Sequence, residues 1–303
     1  MTAAVARSAA PTGVSASPPG RVARIVVVLL LALTASGCLG TRFIYNQLDW
    51  FITWRLSGYF DLEKEQRQLL RDTVTNSLEW VRTEQLPDYA AILRVIASEA
   101  GTGQLTDRRW EDIYAQMIAL FDEFLRHVMP DTVTFLATLS DDQVEYMIGQ
   151  LEDENDELAR DYSGRTPEER LRRREKAMVK GLKRFTGRLN AEQKSMVNAA
   201  VNSMYDNSEQ WLEGRRLWQQ AFRALLLERP PRPEFEARLL AMSIDPNYVD
   251  TPEYRAQVEA NQKIVQGLMA DVVASLEVKQ LERFRERLNG FADDFDALAA
   301  PVT

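Results

Sequence analysis

The stretch AEQKSMVNAAVNSMYDNSEQWLEGRRLWQQAFRALLL, residues 191–227, decides the fold class. In it Val197, Val201, Met204, Ser208, Trp211, Arg215, Trp218, Phe222 and Leu225 follow one another at alternating spacings of four and three. That 3.5-residue repeat draws one seam along a helix that winds on a neighbour with a left-handed twist. Read as one helix, the stretch would be a rod of about 55 Å at 1.5 Å per residue. Trp211 and Trp218 lie on the seam and are read as core side chains rather than a ligand box.

Outward from this stretch the same spacing recurs, almost nothing alternates at period two, and glycine and proline are confined to a few breaks. Helix starts are marked chemically. Ser140-Asp-Asp-Gln143 and Asn190-Ala-Glu-Gln193 set a capping side chain three residues before a glutamine that can reach back to the cap's own N–H. Thr166-Pro167-Glu168-Glu169 and Thr251-Pro252-Glu253 put proline at the first helical position, where its missing N–H costs nothing. Breaks fall at Gly101-Thr-Gly103, Ser163-Gly-Arg-Thr-Pro167, Arg229-Pro-Pro-Arg-Pro233 and Asp245-Pro246. The expectation is an all-α, elongated multi-helix bundle.

Four helix starts share a Leu-x-x-x-Gln pattern. Leu62 to Gln66 parallels Leu189 to Gln193, and Leu139 to Gln143 parallels Leu276 to Gln280. Between them Asn76-Ser-Leu-Glu-Trp80 echoes Asn207-Ser-Glu-Gln-Trp211, with one extra helical turn in the second copy. Four matches in paired order predict two similar helical halves, 61–164 and 165–303. Leu62, Gln66, Leu139, Gln143, Leu189, Gln193, Leu276 and Gln280 are thereby the candidate motif and binding residues. The plain alternative is that the pattern is ordinary helix-start chemistry.

The N-terminus carries an address. Residues 1–24 contain Arg7, Arg21 and Arg24 and no acid, and an apolar run from Ile25 to Ser36 follows. That run is short of the roughly 20 apolar residues a spanning helix needs and has the layout of an export leader. It ends in Ala35-Ser36-Gly37-Cys38, small residues before the sole cysteine of the chain, so no internal disulfide competes for that thiol. This resembles the bacterial lipobox. The resemblance implies a leader over 1–37, a diacylglycerol thioether and an N-acyl chain such as palmitate on Cys38, and an anchor-proximal segment over 38–60. Leu39, where enteric lipoproteins retained at the inner membrane carry Asp, implies an outer-membrane anchor facing the periplasm. Several acyl chains, at about 0.8 kcal/mol per buried methylene, make a durable anchor.

Removal of residues 1–37 takes away three arginines and no acidic residue, which moves the formal net charge from −8 to −11. A body that acidic repels polyanions, so nucleic acid is not an expected partner. His127 is the sole histidine, and no Cys/His metal cluster, nucleophile–His pair or Gly-rich phosphate loop is legible. No cofactor and no enzymatic activity are expected. His127, one turn before Pro130, reads as a helix-end residue. Asp153 and Glu157 form a carboxylate pair of the kind glycosidases use, but on an acidic helix they read as a solvated face.

Acids crowd residues 141–161, and the basic run Arg165 to Arg188 follows, with an apolar line through Leu171, Met178, Leu182, Phe185 and Leu189. This amphipathic helix could offer its basic face to anionic lipid or polymer. The preferred expectation is that it folds back across Ser163-Gly164 so that the opposite charges meet. Near Cys38, Phe43, Tyr45, Trp50, Phe51, Trp54, Tyr59 and Phe60 form an aromatic cluster, suited either to a membrane interface or to burial. The polar face of Asn46, Gln47 and Asp49 tips the expectation to burial of Leu48, Phe51 and Trp54.

Tyr45-Asn-Gln-Leu-Asp-Trp50, with Trp54, Tyr59, Asp61-Leu62, Glu65-Gln66 and Glu84-Gln-Leu-Pro-Asp-Tyr89, resembles a family of uncharacterised bacterial outer-membrane lipoproteins. The paired Leu-x-x-x-Gln motifs resemble more loosely the Leu-Thr-x-x-Gln motifs of the all-helical periplasmic chaperones of the Spy and CpxP type. Here Glu63, Ser140, Asn190 and Glu277 stand at the threonine position. The second resemblance implies a helical cradle for unfolded clients, built in one chain where those proteins use two. The expected partners are the membrane, through lipidated Cys38, and envelope proteins or unfolded clients. The expected role is a chaperone-like or scaffold protein, with an assembly accessory of an outer-membrane complex as the alternative and a cell-wall or lipid polymer hydrolase third.

Overall fold

A computed structural model describes residues 38–245 and 251–300, with side chains from Thr41 onward. Among the described residues there is no strand, and the chain is an all-α multi-helix bundle. The leader over 1–37 and the proline of the Asp245-Pro246 break lie outside the described residues. Helices α1 (Cys38–Tyr45) and α2 (Leu48–Ser57) precede α3 (Lys64–Trp80), which runs through a π turn, Val81–Gln85, into α4 (Leu86–Glu99). Then come α5 (Asp107–Leu136), α6 (Asp141–Ser163), α7 (Pro167–Thr186) and α8 (Ala191–Ser203). The chain continues with α9 (Ser208–Glu228), α10 (Arg232–Ile244), α11 (Pro252–Ala274) and α12 (Val278–Ala299). The caps sit where the sequence places them: Ser140, Thr166, Asn190 and Thr251 each accept from the N–H three residues on.

The single rod over 191–227 is corrected, because the chain breaks between α8 and α9 at residues 204–207. Asp, Asn and Ser compete with helical hydrogen bonds by binding backbone and neighbours locally, and here the competition is decided from outside the segment. Asp206 takes the Arg170 guanidinium at 2.8 Å, and Asn261 of α11 receives the Tyr205 N–H at 2.9 Å and donates to the Tyr205 carbonyl at 3.0 Å. The seam residues keep their inward faces but enter two cores. Val197 and Val201 pack with Leu268 and Val272, whereas Phe222 and Leu225 pack with α3, α5, α6 and α10. Trp218 joins that second core and donates to the Met242 carbonyl at 2.9 Å.

His127 is not a helix-end residue either. Helix α5 continues through Pro130 to Leu136, and the His127 ring stacks on Trp80 at 4.0 Å between centroids. Proline removes one hydrogen bond from the ladder and strains the preceding turn. Burial of Met129, Val133, Phe135 and Leu136 on either side of it in one core offsets that cost.

The two halves interlock. Within halves, α3 packs on α5 and α8 on α11; between halves, α4 packs on α12 and α9 on α6. These pairings map onto each other when the halves are exchanged, with α10 as an addition that lies on α5. Helices on either side of residue 164 therefore pack on one another.

Helix α7 does not fold onto α6. The α6 acids are met by α9, through Arg215–Glu154 at 3.1 Å, Arg216–Asp156 at 3.3 Å and Arg223–Glu145, and by Arg55–Glu154 at 2.9 Å. Only Asp161 reaches α7 and the turn before it, at Arg173 and Arg165. The apolar line of α7 decides this, because Leu171, Met178 and Leu182 pack against the Leu189–Val197–Val272 core. Even half-buried, such side chains contribute about 1 kcal/mol each and act together, against about 0.2–1 kcal/mol for an exposed ion pair.

Candidate functional site

The four motif glutamines meet in two reciprocal pairs. Gln66 donates to Gln143 Oε1 at 2.9 Å, and Gln143 donates back to Gln66 Oε1 at 2.7 Å. Gln193 and Gln280 repeat the exchange at 2.8 and 3.0 Å. Each Nε2 also donates to the carbonyl just before the partner motif's leucine: Gln66 to Thr138, Gln143 to Asp61, Gln193 to Ser275 and Gln280 to Arg188. Each Oε1 accepts in addition from its own cap N–H, at Glu63, Ser140, Asn190 and Glu277.

This geometry explains the residue type. An amide has two donors and two acceptor sites, and all four are used at every one of these glutamines. Glutamate could close the same capping box but has nothing to donate, and two carboxylates facing each other without water would repel. The box at Thr166 ends in Glu169, and that side of α7 is exposed. Gln66, Gln143, Gln193 and Gln280 are 0–9 % exposed. Leu62, Leu139 and Leu189 are buried, and Leu276 packs half-buried between two cores. The eight motif residues thus weld helix starts together and turn their functional groups away from solvent.

The exposed chemistry lies elsewhere, at the end of the molecule that follows Cys38. Cys38 is the first residue of α1. That helix is held down by Arg42 on the buried Asp294 at 3.1 Å and by Tyr45, whose hydroxyl donates to the Leu78 carbonyl at 2.8 Å. Helix α2 carries apolar residues on two sides. Leu48, Ile52 and Leu56 face the body, while Trp50 (61 % exposed), Phe51 (48 %) and Trp54 (60 %) face outward, as does Phe43 of α1 at 69 %. The expected burial of Phe51 and Trp54 is corrected: one side of α2 satisfies the core, and the polar residues Asn46 and Gln47 belong to the turn before it.

Between α2 and α3 lies a groove of about 360 Å³ lined by Asp49, Trp50, Thr53, Trp54, Ser57, Arg67 and Arg71. Trp50 and Trp54 stack at 6.2 Å with their planes 10° apart. Opposite, Arg67 and Arg71 stand one helical turn apart; Arg67 donates to the Leu62 carbonyl at 3.1 Å, and neither guanidinium pairs with a carboxylate among the described residues. Thr53 is buried at 6 %, yet its Oγ1 has no hydrogen-bond partner. Sequence reasoning missed Thr53, Arg67 and Arg71. The available signal was the polar line Asp49, Thr53 and Ser57, spaced by four along α2 beside Trp50 and Trp54.

A second concavity, of about 320 Å³, is polar and runs along α6, lined by residues including Arg55, Tyr59, Asp153, Glu154, Glu157 and Arg160. Burial and the bond to Glu154 push the Tyr59 hydroxyl up to about 12. Asp153 and Glu157 are exposed there, one helical turn apart on the same helix. Among the described residues no group of three or more His, Cys, Asp or Glu side chains is placed to hold a metal, and no helix is long and apolar enough to cross a membrane.

Residues 58–255 match the profile of a family of unknown function, DUF6279. The chain belongs to the DUF6279 family. The DUF6279 match holds the whole first glutamine pair and Leu189 with Gln193, and it ends before Leu276 and Gln280. It includes Arg67 and Arg71 and begins after Trp50, Thr53 and Trp54. No curated protein and no solved structure matches the chain on comparison.

Proposed function

We propose that this DUF6279 protein is an envelope lipoprotein, cut before Cys38, acylated there, held at the outer membrane facing the periplasm, and acting as a scaffold that binds other envelope proteins. The observation that carries this reading is the aromatic display on α1 and α2. Directly after the acylation site the chain exposes Phe43, Trp50, Phe51 and Trp54, side chains that favour the headgroup level of a bilayer. Behind that end, the interlocked halves and buried amide pairs make a stiff body suited to holding partners at a fixed distance from the membrane.

Intact-mass analysis of the chain purified from membranes tests the anchor. Loss of residues 1–37 with added acyl mass on Cys38 supports it; an unmodified sulfur or a retained leader overturns it.

A second reading, a chaperone-like holder of unfolded clients, draws on the reciprocal packing of α4 on α12 and α9 on α6. That is the arrangement expected if two copies of an interlocked helical unit were joined in one chain. Suppression of aggregation of a thermally unfolded client at equimolar protein would favour the holder; unchanged aggregation would leave the scaffold.

A further inference from the structure

The groove between α2 and α3 has a composition that the packing of the bundle does not require. One wall is two stacked tryptophans left in solvent, and the other is the exposed Arg67 and Arg71, which form no ion pair among the described residues. At its floor a buried hydroxyl, Thr53 Oγ1, is left without a partner, although a buried polar atom normally has one. A helical threonine can ordinarily donate back to the carbonyl four residues earlier, as Thr132 and Thr134 do at 2.8 Å in α5. Asp49 is the one carboxylate in the lining, so the groove carries a net positive charge on a chain whose formal net charge is −8.

We infer that this groove binds the headgroup of an anionic glycerophospholipid of the bilayer, a ligand that nothing in the family assignment supplies. Two guanidiniums one turn apart suit a phosphate, since each can give parallel N–H bonds to its oxygens. The Thr53 hydroxyl supplies a further donor, and the indoles cover the glycerol and the first acyl carbons as interfacial tryptophans do. A membrane lipid is favoured over a free anion because one wall of the groove is a pair of stacked, exposed indoles, carried by the helix that follows α1, whose first residue is Cys38. The inference rests on the reading that the acylated cysteine holds this end at the bilayer.

The test is native mass spectrometry of the full chain, purified from membranes in mild detergent and titrated with dihexanoyl phosphatidylglycerol, dihexanoyl phosphatidylcholine or inorganic phosphate. One phosphatidylglycerol per chain is expected, bound about tenfold more tightly than phosphatidylcholine. The preference should vanish in Arg67→Gln/Arg71→Gln and the binding should weaken in Trp50→Ala/Trp54→Ala, two variants on opposite walls, each checked for an unchanged helical melt. Equal binding of the two lipids, or a preference that survives the arginine variant, overturns the proposal. So does displacement by inorganic phosphate at matched concentration, which would make this a free-anion site, or a co-purifying polypeptide lost with Trp50→Ala/Trp54→Ala, which would make it a protein site. The same spectra report the mass at Cys38, so a missing acyl group counts against the anchor and not against the groove.

Discussion

Gln193 and Gln280, 87 residues apart in the chain, donate to each other at 2.8 and 3.0 Å, and neither has solvent access to replace what the other provides. Gln193→Ala removes a cap bond and the bond to the Ser275 carbonyl, and leaves the Gln280 amide half satisfied. Each buried polar group left unpaired costs about 1–3 kcal/mol, so a loss of about 3 kcal/mol in urea unfolding is expected. Gln193→Glu should cost as much, although glutamate closes a capping box equally well. Tolerance of glutamate would mean that the pair does no more than cap a helix.

Gly101 and Gly103 both have positive φ, at 76° and 81°, but only Gly101 lies against another helix. A Cβ at Gly101 would stand 2.5 Å from Leu281 Cδ2 of α12, whereas one at Gly103 would meet nothing within 4 Å. Gly103→Ala is expected to cost about 1 kcal/mol, from the left-handed backbone alone. Gly101→Ala must also displace the Leu281 side chain and should cost about 1 kcal/mol more than Gly103→Ala. Equal melting temperatures for the two variants would contradict this placement of the α4–α5 turn on α12.

Asp206 is pushed up by burial and pulled down harder by hydrogen bonds from Arg170 and Ser208 and by the charge of Arg174, so it ends below its ordinary value. A lowered folded-state pKa means that its stabilising contribution is present above about pH 4 and fades as the pH falls through the shifted value. Asp206→Asn should lower stability at neutral pH by about 2 kcal/mol and flatten the acid limb of the stability curve. An unchanged acid limb would show that the break between α8 and α9 does not depend on this carboxylate.

At the alkaline end Tyr59 and Tyr89 are both raised to about 12, first by burial and then by Glu154 and Glu123 respectively. Raised values keep the proton in the folded state, so their stabilisation is whole below pH 10 and drains away as the pH climbs towards 12. Absorbance at 295 nm should therefore report late-ionising tyrosines whose transition coincides with loss of helix, with one fewer in Tyr59→Phe. Early ionisation of every tyrosine, before any loss of ellipticity, would place the Tyr59 hydroxyl in solvent.

The residues alone determined what is set within one or two helical turns. Apolar spacing made the chain helical, Ser140, Thr166, Asn190 and Thr251 marked where helices begin, and the four Leu-x-x-x-Gln motifs stood out as a shared pattern of helix starts. The interlocking of the halves, the pairing of those glutamines, and the groove joining Thr53 to Arg67 and Arg71 were settled only in three dimensions. The physical reason is competition among partners distant in sequence. Asn261 broke a seam that looked continuous by binding the backbone of Tyr205. The inner side of α2 was enough for the core, which left Trp50 and Trp54 outside, and the apolar line of α7 overruled the attraction of its charges for α6.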